Sequence, residues 1–273
     1  MLKMIGRKEI PYCVFRGTEY LLLKSEYTSN IYWKVTPPIY RFVHSMTTRY
    51  GAPLDAFTTI SVCPTYIIKH TGREDSSDYS NRRRFLGEVL AGNWDKTTEI
   101  ADSRPECGVL ADYVFDEMEF YKGLKQRYCY GEEWKETTLY QLLYDYLSKT
   151  ETKWRNAETP DDLDQYLQRV DDLYETIATE GYRTQIELAK KGNTGRLGFI
   201  DHLTNEITVD IGRGGEILFV DGKHRLAIAK ILDLEKVPVT VLVRHKKWME
   251  YRDEVWNDPS MDASWHPDLQ HVD

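Results

Sequence analysis

Along this chain the apolar residues repeat with a helical period in the middle and a strand period towards the end. The clearest helix is written by "ETPDDLDQYLQRVDDLYETIATEGY", in which Leu163, Tyr166, Leu167, Val170, Leu173, Tyr174 and Ile177 share one face. Thr159 is suited to cap it, Pro160 to open its first turn beside acidic residues, and Gly181 to stop it. Helical patterns also cover 114–127 and 137–148, the second with Leu139, Leu142, Leu143, Tyr146 and Leu147 in register. From Glu206 the period shortens. "EITVDI" and "EILFV" read as strands joined by "GRGG", a hairpin turn in glycine chemistry. "FVDGKHRLAIAK" starts as a strand, breaks at Gly222 and continues as a helix. A turn at "LDLEK", the strand "VPVTVLV", the amphipathic "HKKWMEYRDEVW" and an irregular tail over 258–273 complete the chain.

The first third is less periodic. Short apolar stretches, "YLLLK" and "TTISVCPTYIIKH", alternate with polar and proline-containing turns, so residues 1–80 are set apart as an N-terminal region of unassigned fold. "PPIYRFVHSMTTRYG" at 37–51 predicts a short helix with proline in its first turn and Gly51 as its stop. "TGREDSSDYSNRRR" at 71–84 reads as a linker or surface loop whose arginines form a solvated face. "FLGEVLAGNWD" at 85–95 predicts a strand ending in a glycine turn that presents Trp94 and Asp95. The main domain expected is 85–257, with a helical insertion over about 114–180.

Composition narrows the class. With 273 residues, 41% hydrophobic and 29% charged, the chain can bury a full core and lies outside the disordered range. No apolar run approaches the roughly 20 residues of a membrane span, and "MLKMIGRKEI" lacks the apolar stretch of a secretory signal, so a cytoplasmic location is expected. Cys13, Cys63, Cys107 and Cys129 form no C-x-x-C pair and read as buried or free thiols rather than a zinc site or disulfide framework. A net charge of −8 offers no footprint for duplex DNA, so DNA binding is not expected.

Against that acidity, Lys223, His224 and Arg225 crowd the start of a helix, where the dipole favours negative charge. One reading is a capped surface turn with solvated basic side chains. The other is an anion site: a helix start exposes unpaired N–H groups, Gly222 lets a phosphate approach the backbone, and Arg225 can grip two of its oxygens. Chemistry on a phosphate would need a base or metal-holding acid nearby, for which Asp221 and Asp95 are the candidates. Each has a structural alternative, Asp221 as a helix cap and Asp95 as the close of a turn. Arg244, at the end of the last strand, can reach a phosphate or pair with an acid; His245 is read as starting the next helix, and Trp248 and Trp256 as core.

The order helix, strand, strand, glycine-basic turn with helix, strand over about 165–245 resembles the ParB/sulfiredoxin superfamily, whose core carries a "DGxHRxxA" box and a strand opened by "IPV". Gly92 to Asp95 ("GNWD") and Arg244, His245 and Trp248 ("RHxxW") resemble features of its uncharacterised ParB-like members. The resemblance implies an α/β (α+β) fold, a ParB/sulfiredoxin-like core with a small mixed sheet, decorated by extra helices and an N-terminal extension. It further implies a nucleoside di- or triphosphate as ligand (CTP, ATP or ADP in relatives), with Mg2+ as its companion. Gly222, His224 and Arg225 would face the phosphates with Lys223 nearby, and Gly181, Tyr182 and Gln185 would line the nucleotide.

Two departures matter. Sulfiredoxins have cysteine where this chain has Lys223, which removes sulfinic acid repair from the expectation. Partition proteins follow the box with a helix-turn-helix reader, for which the roughly thirty residues after the last strand leave too little room. The expectation is a phosphotransferase or nucleotide hydrolase. The alternative is a non-catalytic, nucleotide-switched binding module with an unidentified protein partner, and a DNA-associated nuclease ranks last.

Overall fold

The structure, a computed structural model, describes residues 19, 21–46, 49–73, 82–96, 114–149, 157, 159–191 and 197–270. The fold is mixed α/β. Its strands are β1 (Thr59–Val62), β2 (Glu88–Leu90), β3 (Ile207–Ile211), β4 (Ile217–Asp221) and β5 (Val237–His245). The α-helices among the described residues are α1 (Glu26–Ser45), α2 (Arg82–Phe85), α3 (Glu119–Cys129), α4 (Thr138–Lys149), α5 (Pro160–Glu180), α6 (Gln185–Lys190), α7 (Phe199–Thr204), α8 (Lys223–Ile231) and α9 (Lys246–Asn257).

The sheet is built on β5, whose apolar run is buried almost throughout, as a central strand requires. β3 lies parallel to it, with Ile207 beside Val239 and Ile211 beside Arg244. The predicted hairpin turns β4 back antiparallel to β3, and α8 carries the chain over to β5. At the "GRGG" turn Gly215 has φ of 89°, and a side chain there would strike the Trp248 ring. The other edge of β5 is shared end to end: β1 pairs antiparallel with Val237 to Thr240, and β2 parallel with Val243 to His245.

Two cores flank the sheet. On one face Ile207, Val209, Val239 and Val241 meet Phe120 and Leu124 of α3, Leu139 and Leu143 of α4, Leu163 and Leu167 of α5, and Leu226 to Ala229 of α8. Ala227 and Ala229 are fully buried, so small side chains let α8 lie close against its neighbours. On the other face Leu242 and Val243 meet Tyr32 of α1, Phe57, Leu86 and three residues of α7, Phe199, Ile200 and Leu203. Residues from the expected N-terminal region supply a strand and part of a core.

The helix over 160–180 forms as its sequence predicts, with Thr159 in a capping box with Asp162 and Gly181 at its end. Three local expectations change. The helix expected inside 37–51 is α1, which begins at Glu26 on a Ser25 cap, ends at Ser45 and holds Pro37 and Pro38 in its interior. Packing outweighs the two missing N–H groups: Trp33 and Tyr40 lie against Phe199, and Tyr40 against Phe57. In the 71–84 segment, residues 74–81 lie outside the described residues, but Thr71 and Arg73 are buried and donate to Asp210 at 2.7 and 2.9 Å. Its Arg83 pairs with the buried Asp201, whereas Arg84 remains exposed. Trp248 is core as expected, but Trp256 is 41% exposed, because α9 turns it away from the body that Trp248 and Val255 pack against. The tail after Asn257 is irregular, and His266, Asp268 and Leu269 in it are buried.

Candidate functional site

The strand-to-helix join is set by Gly222, with φ of 94° and ψ of 28°, a left-handed conformation. A side chain at Gly222 would come 2.8 Å from the Ile207 Cα, so both the turn and the close approach of β3 call for glycine. α8 then starts with no side-chain cap and no acidic residue in its first turn, unlike α1, α5 and α6, which a serine or threonine caps.

The three basic residues differ: Lys223 is buried, while His224 and Arg225 are partly exposed. Lys223 is 2% exposed, with its ammonium 4.6 Å from the centre of the Phe120 ring, a cation–π contact. His224 bonds through Nε2 to the Tyr166 hydroxyl and sets its ring edge-on to Phe120. Arg225 donates to the Asn205 carbonyl and places Nη1 3.5 Å from Glu206 Oε1. The basic turn of one segment is answered by side chains from α3, α5 and the residues just before β3.

Glu206 is the hub of this cluster, and its role was not legible in sequence. It is 1% exposed, accepts the Tyr182 hydroxyl on Oε1, and accepts the Gln185 backbone N–H on Oε2 at 2.8 Å. Burial pushes the Tyr182 hydroxyl well above its ordinary pKa; the Glu206 carboxylate reinforces that rise and Arg225 opposes it, so Tyr182 remains a donor. Arg225, Tyr182 and Gln185, singled out in separate segments, therefore meet around one carboxylate. Gly181 opens the loop that carries Tyr182 to it. Asp221, the last residue of β4, borders Gly222 and pairs in register with Thr208.

Asp95 and Arg244 lie elsewhere. Gly222 packs on Ile207 at one end of β3, and Arg244 pairs with Ile211 at the other, roughly 13 Å of strand away. Arg244 is 3% exposed and bound to Asp268, with Nη2 to Oδ1 at 2.5 Å. Asp95 accepts the Arg213 backbone N–H at 2.9 Å and its guanidinium at 2.6 and 2.7 Å. Burial opposes the charge on Asp95, yet the bonds from Arg213 hold its pKa below the ordinary carboxylate value. The "GNWD" and "RHxxW" segments do meet each other: His245 Nε2 lies 3.1 Å from the Gly92 carbonyl and its ring beside Trp94. His245 also caps α9, as its position in the sequence suggested.

Among the described residues no group of three or more His, Cys, Asp or Glu side chains is arranged to hold a metal ion, and no helix is long and apolar enough to cross a membrane. Comparison of the chain with models of protein families, with curated proteins and with solved structures returns no match.

Proposed function

We propose that this chain is a nucleotide-binding protein with a ParB/sulfiredoxin-like core, holding the phosphates of a nucleoside di- or triphosphate where β4 passes into α8. The observation that carries the reading is Gly222: a left-handed turn pressed on β3 opens α8 with no side-chain cap, and Arg225 stands on the first turn. An uncapped helix start and a guanidinium together suit a phosphate. The element order in its favour is a helix ending at Gly181, a hairpin, the basic turn with its helix, and a strand opened by Val237, Pro238 and Val239.

The reading is one of binding first. Of the two acids named for chemistry, Asp221 borders the turn, whereas Asp95 is bound to Arg213 at the far end of the sheet. Glu206 is bound to Tyr182, Gln185 and Arg225, so of the acids named here Asp221 is the one that stands beside the turn for a phosphotransferase or hydrolase. Mg2+ would be held by Asp221 and by the oxygens of the nucleotide itself. Titration calorimetry with CTP, ATP, ADP and GTP in Mg2+ is the test. One nucleotide should bind, and Arg225→Ala should weaken it about thirtyfold, the loss of a charge-assisted contact. If none of the four binds the folded chain, the proposal fails.

A further inference from the structure

α1 is apolar on two faces. One carries Tyr32, Trp33 and Tyr40 and packs on Phe57 and Phe199. The other carries Tyr27, Ile31, Val35, Ile39, Phe42 and Met46, the last at the helix cap, which are 77, 45, 48, 54, 66 and 72% exposed. Spacings of three and four residues keep these six in one stripe along about 28 Å of helix. A helix with two apolar faces can seat a second body on the open one, and a contiguous open stripe of this length marks an interaction surface.

We infer that the second body is another copy of this chain, docked antiparallel along α1 about a twofold axis. The stripe is complementary to its own reverse. With the axis midway along it, Tyr27 meets Met46, Ile31 meets Phe42 and Val35 meets Ile39, and symmetry repeats each contact. Bulky ends therefore face bulky ends, and the β-branched centre faces itself. Each residue leaves on the order of 100 Å2 open, so the pair can bury at most roughly 1,200 Å2, the lower edge of a specific interface.

Charge favours a copy over a lipid surface. The stripe holds no charged residue, Arg41 on the flank is bound to Asp55 at 2.9 Å, and beside the stripe Lys24 and Lys34 are exposed on a chain that carries −8 overall. Two lysines fall short of the cluster of about four to eight basic residues with which a surface helix holds anionic headgroups. An interface of this size should associate reversibly with a dissociation constant on the order of micromolar.

Sedimentation of the full chain across that range tests the inference. The mass should rise from 32.0 kDa towards its double. Val35→Lys and Ile39→Lys should each hold the chain at monomer mass with an unchanged thermal melt, since both positions face outward. A mixture of Val35→Cys and Ile39→Cys chains should cross-link faster than either alone, beyond the background from the native cysteines of the parent chain. A monomer at about 100 µM overturns the inference. So does a dimer indifferent to both lysines, or a monomer whose stripe binds vesicles of anionic phospholipid.

Discussion

Glu206 sets its carboxylate 3.5 Å from the Arg225 guanidinium and thereby supplies, from inside the chain, the negative charge that the basic turn invites. The pair helps explain how three basic residues can open a helix in an acidic protein: Arg225 faces an internal carboxylate, Lys223 lies against an aromatic ring and His224 is bound to Tyr166. It also means that a phosphate reaching Arg225 must compete with a buried carboxylate.

That competition gives the sharpest test of the site. Glu206→Gln keeps the shape and an acceptor for Tyr182 but removes the competing charge. If the join binds nucleotide phosphates, the variant should bind about tenfold more tightly by calorimetry, a gain near 1.4 kcal/mol. Arg225→Ala leaves Glu206 buried without its cation and should lower stability by about 3 kcal/mol, so its binding must be read beside a urea melt. Unchanged or weaker binding by folded Glu206→Gln would show that Arg225 is not the phosphate grip.

Gly222 should tolerate nothing larger. Alanine there combines a left-handed backbone with a Cβ 2.8 Å from the Ile207 Cα, and backbone cannot yield as a flexible side chain would. Gly222→Ala should cost about 3 kcal/mol in urea denaturation. Asp221→Ala, one residue earlier, should cost less than half of that, and equal losses would mean that the close packing on β3 is not what the glycine serves.

What the sequence disclosed follows from the range of the interactions involved. The 160–180 helix is decided by its own capping residues and apolar period, and the hairpin by four local residues, so both were legible. α1 was not, because Pro37 and Pro38 argue against a helix locally while aromatic residues at 57 and 199 hold one in place. The same holds for the site. Gly222 and Arg225 declare themselves by type and spacing, whereas Glu206 looks like the polar start of a strand until Tyr182 and Arg225 converge on it. Arg244, which ends a strand, is open in sequence to a phosphate or to an acid; the structure pairs it with Asp268, which lies in a tail with no periodicity to announce that it is buried.

Acid should weaken the fold first through His202. This side chain is 1% exposed beside Trp33, and burial pushes its pKa from 6.5 down to about 4. The unfolded chain therefore binds a proton that the folded chain refuses, so stability is complete above about pH 6.5 and falls as the pH drops towards 4. The loss should be on the order of 3 kcal/mol, with His44 and His266, shifted the same way by burial, adding to it. His202→Phe should flatten the dependence of the urea midpoint between pH 7 and 4.5 relative to the parent. A variant with the parent's slope would remove His202 as its source.

A second acid transition should follow from Asp268, at lower pH and through the opposite kind of group. Burial alone would raise its pKa. Arg244 and Arg252, with donors 3.0 and 3.3 Å from Oδ2, and the Trp248 indole N–H at 2.8 Å bring it down to about 2. For a carboxylate with a depressed folded pKa, the stabilisation is whole above the unfolded value near 4 and disappears as the pH falls through 2, a loss of about 2 kcal/mol. Removing the charge outright is worse, because two buried guanidinium groups then share no anion: Asp268→Asn should cost about 3–5 kcal/mol at neutral pH. Asp268 lies between the buried His266 and Leu269 and helps to pin this part of the tail, so the variant should also make the tail more open to limited proteolysis after Asn257. Since Arg244 lies at the far end of β3 from Gly222, nucleotide affinity should not change while Asp268→Asn remains folded. A marked fall in affinity with the melt accounted for would tie Arg244 to the ligand after all, and the separation of the two clusters argued above would be wrong.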